Sequence, residues 1–206
     1  MKAALFDLDG VVFDTESQYT KFWGGQCSKY RPDMPGLEHT IKGQTLTQIL
    51  DSFFSTPDLL ERQKDIVAEL DYFEQRMEFC YVKGFESFVS QLRAHGVKTA
   101  VVTSSNRAKM EQVYRQRTEF RTLMDEILTS EDFAESKPHP DCYLKAAARF
   151  AARPEECVVF EDSLNGLRAG RASGAWVVGL ATTHSPERLK DLADEVWMDF
   201  DRRIDN

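Results

Sequence analysis

The chain has little of what would send it out of a reducing compartment or into a membrane. Its 206 residues include four cysteines, Cys27, Cys80, Cys142 and Cys157. They are widely spaced, with no CxxC pair and no zinc-ligand spacing. Neither a disulfide scaffold nor a zinc module is expected; reduced thiols in a cytoplasmic protein are. There is no run of about 18 apolar residues, so no membrane-spanning helix is expected. The N-terminus lacks the basic region, apolar stretch and small-residue cleavage site of a signal peptide. Positive charge is also short: 26 Lys and Arg face 34 Asp and Glu, a formal net charge of −8. That balance disfavours nucleic acid and anionic membranes as partners. An anionic ligand must then be held by a few local cations and backbone amides against the overall field. Repeats and low-complexity tracts are absent, and no apolar helix face is obviously left over, so a monomer is the default expectation.

What is present is enough apolar material for a core, 42% of residues, arranged as short runs alternating with helical patterns. The runs at 2–6, 98–103, 126–128, 157–160, 176–180 and 195–198 read as strands. The stretches 85–95, 107–117, 140–152 and 164–173 carry apolar residues at helical spacing. Strand–helix–strand repetition implies a doubly wound parallel sheet with helices on both faces. One segment breaks the alternation. Residues 15–82 read as helices only, at 16–30, 45–54 and one long charged helix at 57–79. The expected organisation is an α/β core made of 1–14 and 83–206, with a helical cap, 15–82, inserted after the first strand.

The first strand runs into Asp7-Leu8-Asp9-Gly10-Val11. Side chains two apart share a direction where a strand continues, so both carboxylates can converge at its carboxyl end while Gly10 turns the chain away. Two anions this close repel unless a cation or proton lies between them. Three further strand ends add to this set. Val102-Thr103-Ser104-Ser105 places a hydroxyl and two amides before a helix, where they can face an oxyanion; capping of that helix by Ser105 or Asn106 is the plainer reading. Lys137, in Ser136-Lys137-Pro138-His139-Pro140, can neutralise a phosphate and the charge developing near it. His139 reads as a loop-shaping residue. Glu161 and Asp162 end another apolar run, and magnesium takes oxygen ligands of this kind. In doubly wound sheets ligands bind beyond the carboxyl ends of the strands, where all four loops would lie.

These motifs, DLDGV at 7–11, DTE at 14–16, VTSS at 102–105, KPHPDCY at 137–143 and FEDSLNGLRAGRASGA at 160–175, resemble the haloacid dehalogenase superfamily. The similarity is to its small sugar-phosphate phosphatases and β-phosphoglucomutases, and it covers essentially the whole chain. It implies a magnesium-dependent enzyme acting on a small phosphorylated substrate. Asp7 would be the nucleophile that forms an aspartyl-phosphate, and Asp9 the general acid and base. Thr103, the Ser104 and Ser105 amides and Lys137 would hold the phosphoryl oxygens. Asp7, the Asp9 main-chain carbonyl, Glu161 and Asp162 would hold the metal. The dehalogenases of the superfamily use no metal and lack the second aspartate, so carbon–halogen cleavage is not implied.

In the cap, Lys42, Gly43 and Gln44 resemble the substrate-specificity loop, with Lys42 reaching into the site. Trp23 reads as core or as a wall of the substrate pocket. Where β-phosphoglucomutases have a cap histidine this chain has Tyr19, and where they have an arginine for the distal phosphate it has Leu46. A mutase must grip a second phosphate, and leucine cannot replace an arginine fork there. Hydrolysis is therefore expected over mutase action. A phosphate-ligand sensor that has lost catalysis is the remaining alternative, against which the intact acidic and lysine positions argue.

Overall fold

A computed structural model describes residues 1–42 and 44–201; Gly43, expected in the substrate loop, lies outside the described residues. Six strands form one sheet: β1 (Ala3–Phe6), β2 (Lys98–Val102), β3 (Glu126–Leu128), β4 (Cys157–Glu161), β5 (Trp176–Leu180) and β6 (Glu195–Trp197). Their order is β3-β2-β1-β4-β5-β6 and every neighbouring pair is parallel. The expected doubly wound parallel sheet is what forms. Strands buried on both faces read as continuous apolar runs, which is why β1 and β4 were visible in the sequence.

Alternation along each strand sends side chains to opposite faces. Ala4 and Phe6 of β1 join one apolar cluster with Phe85, Phe88 and Leu92 of α6 (Phe85–Ala94) and Met110 and Val113 of α7 (Arg107–Gln116). Ala3 and Leu5 join the other, with Cys142, Tyr143 and Ala146 of α9 (Asp141–Arg149) and Leu167 and Ala169 of α10 (Leu164–Ser173). Phe6 stacks on Phe160 across the β1–β4 pair at 4.6 Å. Each buried Leu, Val, Met or Phe side chain among these contributes about 1.5–3 kcal/mol by leaving water.

Between β1 and β2 lie α1 (Glu16–Tyr30), α2 (Leu37–Thr40), α3 (Leu46–Phe53), α4 (Pro57–Leu60) and α5 (Gln63–Glu74). They bury an apolar cluster of their own, built on Trp23, Cys27, Ile41, Ile49, Phe54, Ile66 and Leu70. The expected single helix over 57–79 is not formed. A turn closed by Arg62 N–H on the Leu59 carbonyl resets the helical phase, so that Leu59, Ile66 and Leu70 all reach the same cluster. After Glu74 the burial period shortens. Met77 and Phe79 are buried in the cluster under the sheet instead, and Tyr81 bridges to Phe13 as extended chain. The one-turn helices α2, α8 (Phe120–Leu123) and α11 (Pro186–Leu189) are too short to show periodicity and were not expected. No helix among the described residues is long and apolar enough to cross a membrane.

Strand order reverses between β1 and β4, since β2 lies to one side of β1 and β5 beyond β4 on the other. A crevice opens at the carboxyl ends of strands where such a reversal occurs. Asp7 follows the end of β1, and Glu161 closes β4.

Candidate active site

A cavity of about 610 Å³ lies beyond this edge, lined from below by Asp7, Asp9, Thr103, Lys137 and Asp162 and from above by Tyr19, Trp23, Lys42, Gln44 and Leu46. The four strand-end loops do converge on one place. Asp7 is fixed by its amide, which continues the ladder to the Phe160 carbonyl at 3.0 Å. Gly10 then turns the chain at φ +74°, and a Cβ there would lie 2.1 Å from Asp162 Oδ2. Only glycine satisfies both the positive φ and the close approach.

Lys137 is buried, and all three of its N–H donors are used. They go to Asp7 Oδ1 at 2.6 Å, Glu161 Oε1 at 2.7 Å and the Val102 carbonyl at 3.1 Å. Burial would depress this lysine, but Asp7 and Glu161 outweigh it and hold its ammonium well above the ordinary value. Burial also pushes the Asp7 carboxyl up to about 7; Lys137 pulls it down, while Glu161 and Asp9 push it further up. Glu161 is fully buried and committed on both oxygens. Oε1 accepts from Lys137 and Tyr143, and Oε2 accepts from the Asp162 and Ser163 amides and the Ser163 hydroxyl. It anchors the lysine and the β4–α10 turn at once.

Asp9 is held by three donors: Thr15 Oγ1 at 2.6 Å, Ser105 Oγ at 3.1 Å and Lys109 Nζ at 2.5 Å. Thr103 is buried, and its hydroxyl oxygen accepts the Ser105 amide at 3.0 Å. That amide is therefore engaged within the loop, and the helix behind it is capped by Asn106, whose Oδ1 accepts the Lys109 N–H at 2.9 Å. His139 is exposed and its Nδ1 accepts the Asp141 N–H at 3.2 Å, which is the loop-shaping part expected of it. Lys42 Nζ lies 3.2 Å from Glu16 Oε2. Gln44 turns its side-chain amide to the Thr40 carbonyl at 3.1 Å. Trp23 serves both expected purposes, packing in the α1–α5 cluster and lining the cavity.

Asp7, Glu161 and Asp162 each place a carboxylate oxygen within 4.8 Å of the others. Asp162 is buried and, among the described residues, pairs with no ammonium; its Oδ2 accepts the Thr183 hydroxyl. Burial, followed by Glu16, Glu161 and Asp7, raises its carboxyl far above the ordinary range. An all-oxygen donor set with one lysine among three acids fits a hard divalent cation.

A family model for haloacid dehalogenase-like hydrolases matches residues 1–174. The chain belongs to the haloacid dehalogenase-like hydrolases. It is 30% identical to a β-phosphoglucomutase of Mycobacterium bovis over 89% of this chain and 82% of that one. It is 28% identical to the bifunctional riboflavin kinase/FMN phosphatase of Arabidopsis thaliana over 93% of its own length, and spans about half, 52%, of that longer protein. Among solved structures, a haloacid dehalogenase hydrolase of family IA, variant 3, from Entamoeba histolytica superposes with a TM-score of 0.82. That match covers 99% of this chain and 96% of the other at 20% identity. The hydrolase is a phosphohydrolase acting on small phosphorylated molecules.

Lys109 was not singled out in the sequence. It is buried in the first turn of α7, pairs with Asp9, and lies 4.6 Å from the Tyr19 ring. A lysine near a helix N-terminus opposes the helix dipole, and that mismatch was the available signal for a buried anionic partner. Tyr19, on α1, donates to Glu74 Oε1 of α5 at 2.7 Å. Thr15, within the DTE motif, is fully buried, and Gln48, whose Nε2 donates to the Lys137 carbonyl at 3.3 Å, carries no signal in the sequence.

Proposed function

We propose that this hydrolase is a magnesium-dependent phosphatase that releases phosphate from a small sugar or sugar-acid phosphate through an aspartyl-phosphate on Asp7. The observation that carries the reading is Lys137, a buried ammonium bonded to Asp7 Oδ1 at 2.6 Å in the same cavity as Asp9. An Asp7 carboxylate oxygen attacks phosphorus, the bond to the leaving oxygen breaks, and Asp9 gives that oxygen its proton. Asp9 then takes a proton from water as the water oxygen attacks the aspartyl-phosphate, and the bond from Asp7 to phosphorus breaks. The Lys137 ammonium, its three N–H donors committed to the protein, neutralises charge on the phosphoryl oxygens through space, and the Thr103 hydroxyl orients them. A divalent ion held by Asp7, Asp162 and the Asp9 carbonyl, with Glu161 behind them, would add charge neutralisation at those oxygens. Thr15, Ser105 and Lys109 hold Asp9 in place.

Mutase action is the second reading, favoured by the likeness to a β-phosphoglucomutase. Against it stands Leu46, which lines the cavity where a grip on a second phosphate would be needed. The test is phosphate release from a panel of phosphorylated metabolites, with and without chelator, by the protein and by Asp7→Asn. Release that chelation and Asp7→Asn both abolish supports the proposal. Conversion of β-glucose 1-phosphate, primed with bisphosphate, to glucose 6-phosphate without free phosphate would overturn it in favour of the mutase.

A further inference from the structure

The cavity is richly charged, but its positive charge is already spoken for. Among the described residues lining it, the ammonium groups are Lys42, Lys109 and Lys137. Lys137 is shared by Asp7 and Glu161, and Lys109 lies 2.5 Å from Asp9. Lys42, the one cation in the upper wall, lies 3.2 Å from Glu16, each side chain 13% exposed. The same upper wall carries Glu38, Asp71 and Glu74. Glu74 accepts from the Tyr19 phenol and feels the charge of Lys109, which is already paired with Asp9, and Glu38 lies 3.5 Å from His39. No described ammonium or guanidinium in that wall is left for a second anion.

The rest of the lining is neutral and hydrogen-bonding. Thr20, Thr45, Thr47 and Gln44 face the space with Trp23. Glu16 Oε2 is buried and accepts no directed hydrogen bond from the protein, despite the nearby lysine. A buried carboxylate oxygen in that state is stabilised by a donor brought from outside. Hydroxyl groups can supply such a donor; a carboxylate or a second phosphate cannot, and would meet like charge.

We infer that the part of the substrate beyond its phosphate is hydroxyl-rich and carries no negative charge, and that Glu16, by neutralising Lys42, is the residue that rejects sugar acids and bisphosphates. This rests on the phosphatase reading and narrows it. Both halves of the claim concern specificity, so the readout is a ratio of kcat/KM values rather than an absolute rate. The substrates are sorbitol 6-phosphate and 6-phosphogluconate, which share a six-carbon chain and differ in net charge, with p-nitrophenyl phosphate as a substrate lacking both features.

The protein is expected to favour the polyol phosphate over the sugar acid by about tenfold or more, since like charges placed together across a dry interface are costly. Glu16→Gln, which frees Lys42, is expected to shrink that ratio at least severalfold. If Glu16→Gln does not fold, Leu46→Lys adds a cation to the same wall and is expected to move the ratio the same way. A wild-type preference for 6-phosphogluconate, or a ratio unmoved by the folded variants, overturns the inference. In either of those cases p-nitrophenyl phosphate turnover still upholds the phosphatase. Absence of metal-dependent phosphate release from all three substrates would instead sink the reading on which it rests.

Discussion

Lys137 shows how much a single buried charge can decide. Its ammonium separates two carboxylates, Asp7 and Glu161, that are otherwise taken out of water beside each other. Removing one partner of a buried ion pair leaves an uncompensated charge and costs about 3–5 kcal/mol. Lys137→Met is therefore expected to lower the unfolding free energy measured by urea titration by that amount and to cut phosphate release at least about a hundredfold, the order of loss seen when a preorganised charge-stabilising group is deleted. Gly166 tests the same cluster from behind. A Cβ at 166 would lie 1.7 Å from Glu161 Oε1, so Gly166→Ala must push Glu161 off Lys137 and Tyr143. A loss of about 1–3 kcal/mol, as for other overpacked sites, should come with a drop in kcat; a variant that is destabilised but fully active would mean that Glu161 does not fix the lysine. Asp7, Asp9, Glu161 and Asp162 were legible in the sequence because each is an anomaly, a charge set at the end of an apolar run, and Lys137 because it stands in a proline-flanked turn ahead of a helix. Lys109 and Gln48 were not, because a lysine or glutamine inside an amphipathic helix looks like solvent-facing decoration. Only the folded chain shows Lys109 to be 2% exposed.

At the scale of elements, α3 is where the helical segment touches the reaction centre. Gln48 makes a reciprocal capping box with Thr45, accepting its N–H at 2.9 Å while the Gln48 amide donates to Thr45 Oγ1. Its Nε2 also reaches the Lys137 carbonyl at 3.3 Å. One side chain thus starts the helix and ties the loop carrying Lys42 and Gln44 to the peptide of Lys137. Gln48→Glu keeps an acceptor for Thr45 but cannot donate when ionised. It is expected to raise KM about three- to tenfold with kcat less affected, a cost of roughly 1 kcal/mol that matches the loss of one hydrogen bond. Equal KM values for the two proteins would show that the contact does not hold the loop. Strands and the sheet-covering helices could be read from the sequence because their burial follows one period from end to end. The segment after Glu61 could not. Gln63 to Phe79 is rich in helix formers throughout, but its burial passes from helical at Ile66 and Leu70 to alternating at Met77 and Phe79. The two ends of that segment pack against different cores, and no local preference encodes the change.

For the whole molecule, the reversal of strand order at β1 and β4 does the placing: it brings residues 7, 103, 137 and 162 to one edge, though nothing in their sequence spacing requires it. The same edge shapes the pH response. His184, in the loop that follows β5, is half-buried, and its pKa is pushed down to about 4 by burial first, then by Arg188, Lys42 and His39. The folded protein thus holds it neutral where the unfolded chain, with an ordinary histidine value near 6.5, takes up a proton. Stability from this group is complete above about 6.5 and is lost as pH falls toward 4, because the unfolded state binds more protons throughout that window. Asp7 acts in the opposite sense. Its carboxyl is raised to about 7, so the folded state binds the extra proton and gains stability as pH falls from 7 toward 4. The two slopes overlap, so the melting curve of the wild-type protein alone cannot separate them. Comparison with His184→Gln can, since the substitution removes one slope and leaves the other. In metal-free buffer the variant's melting temperature is expected to fall less than the wild type's between pH 6.5 and 4, with the two curves parallel above 6.5. Parallel curves across the entire range would mean that the imidazole is hydrated enough in the folded protein to accept its proton at the ordinary pH.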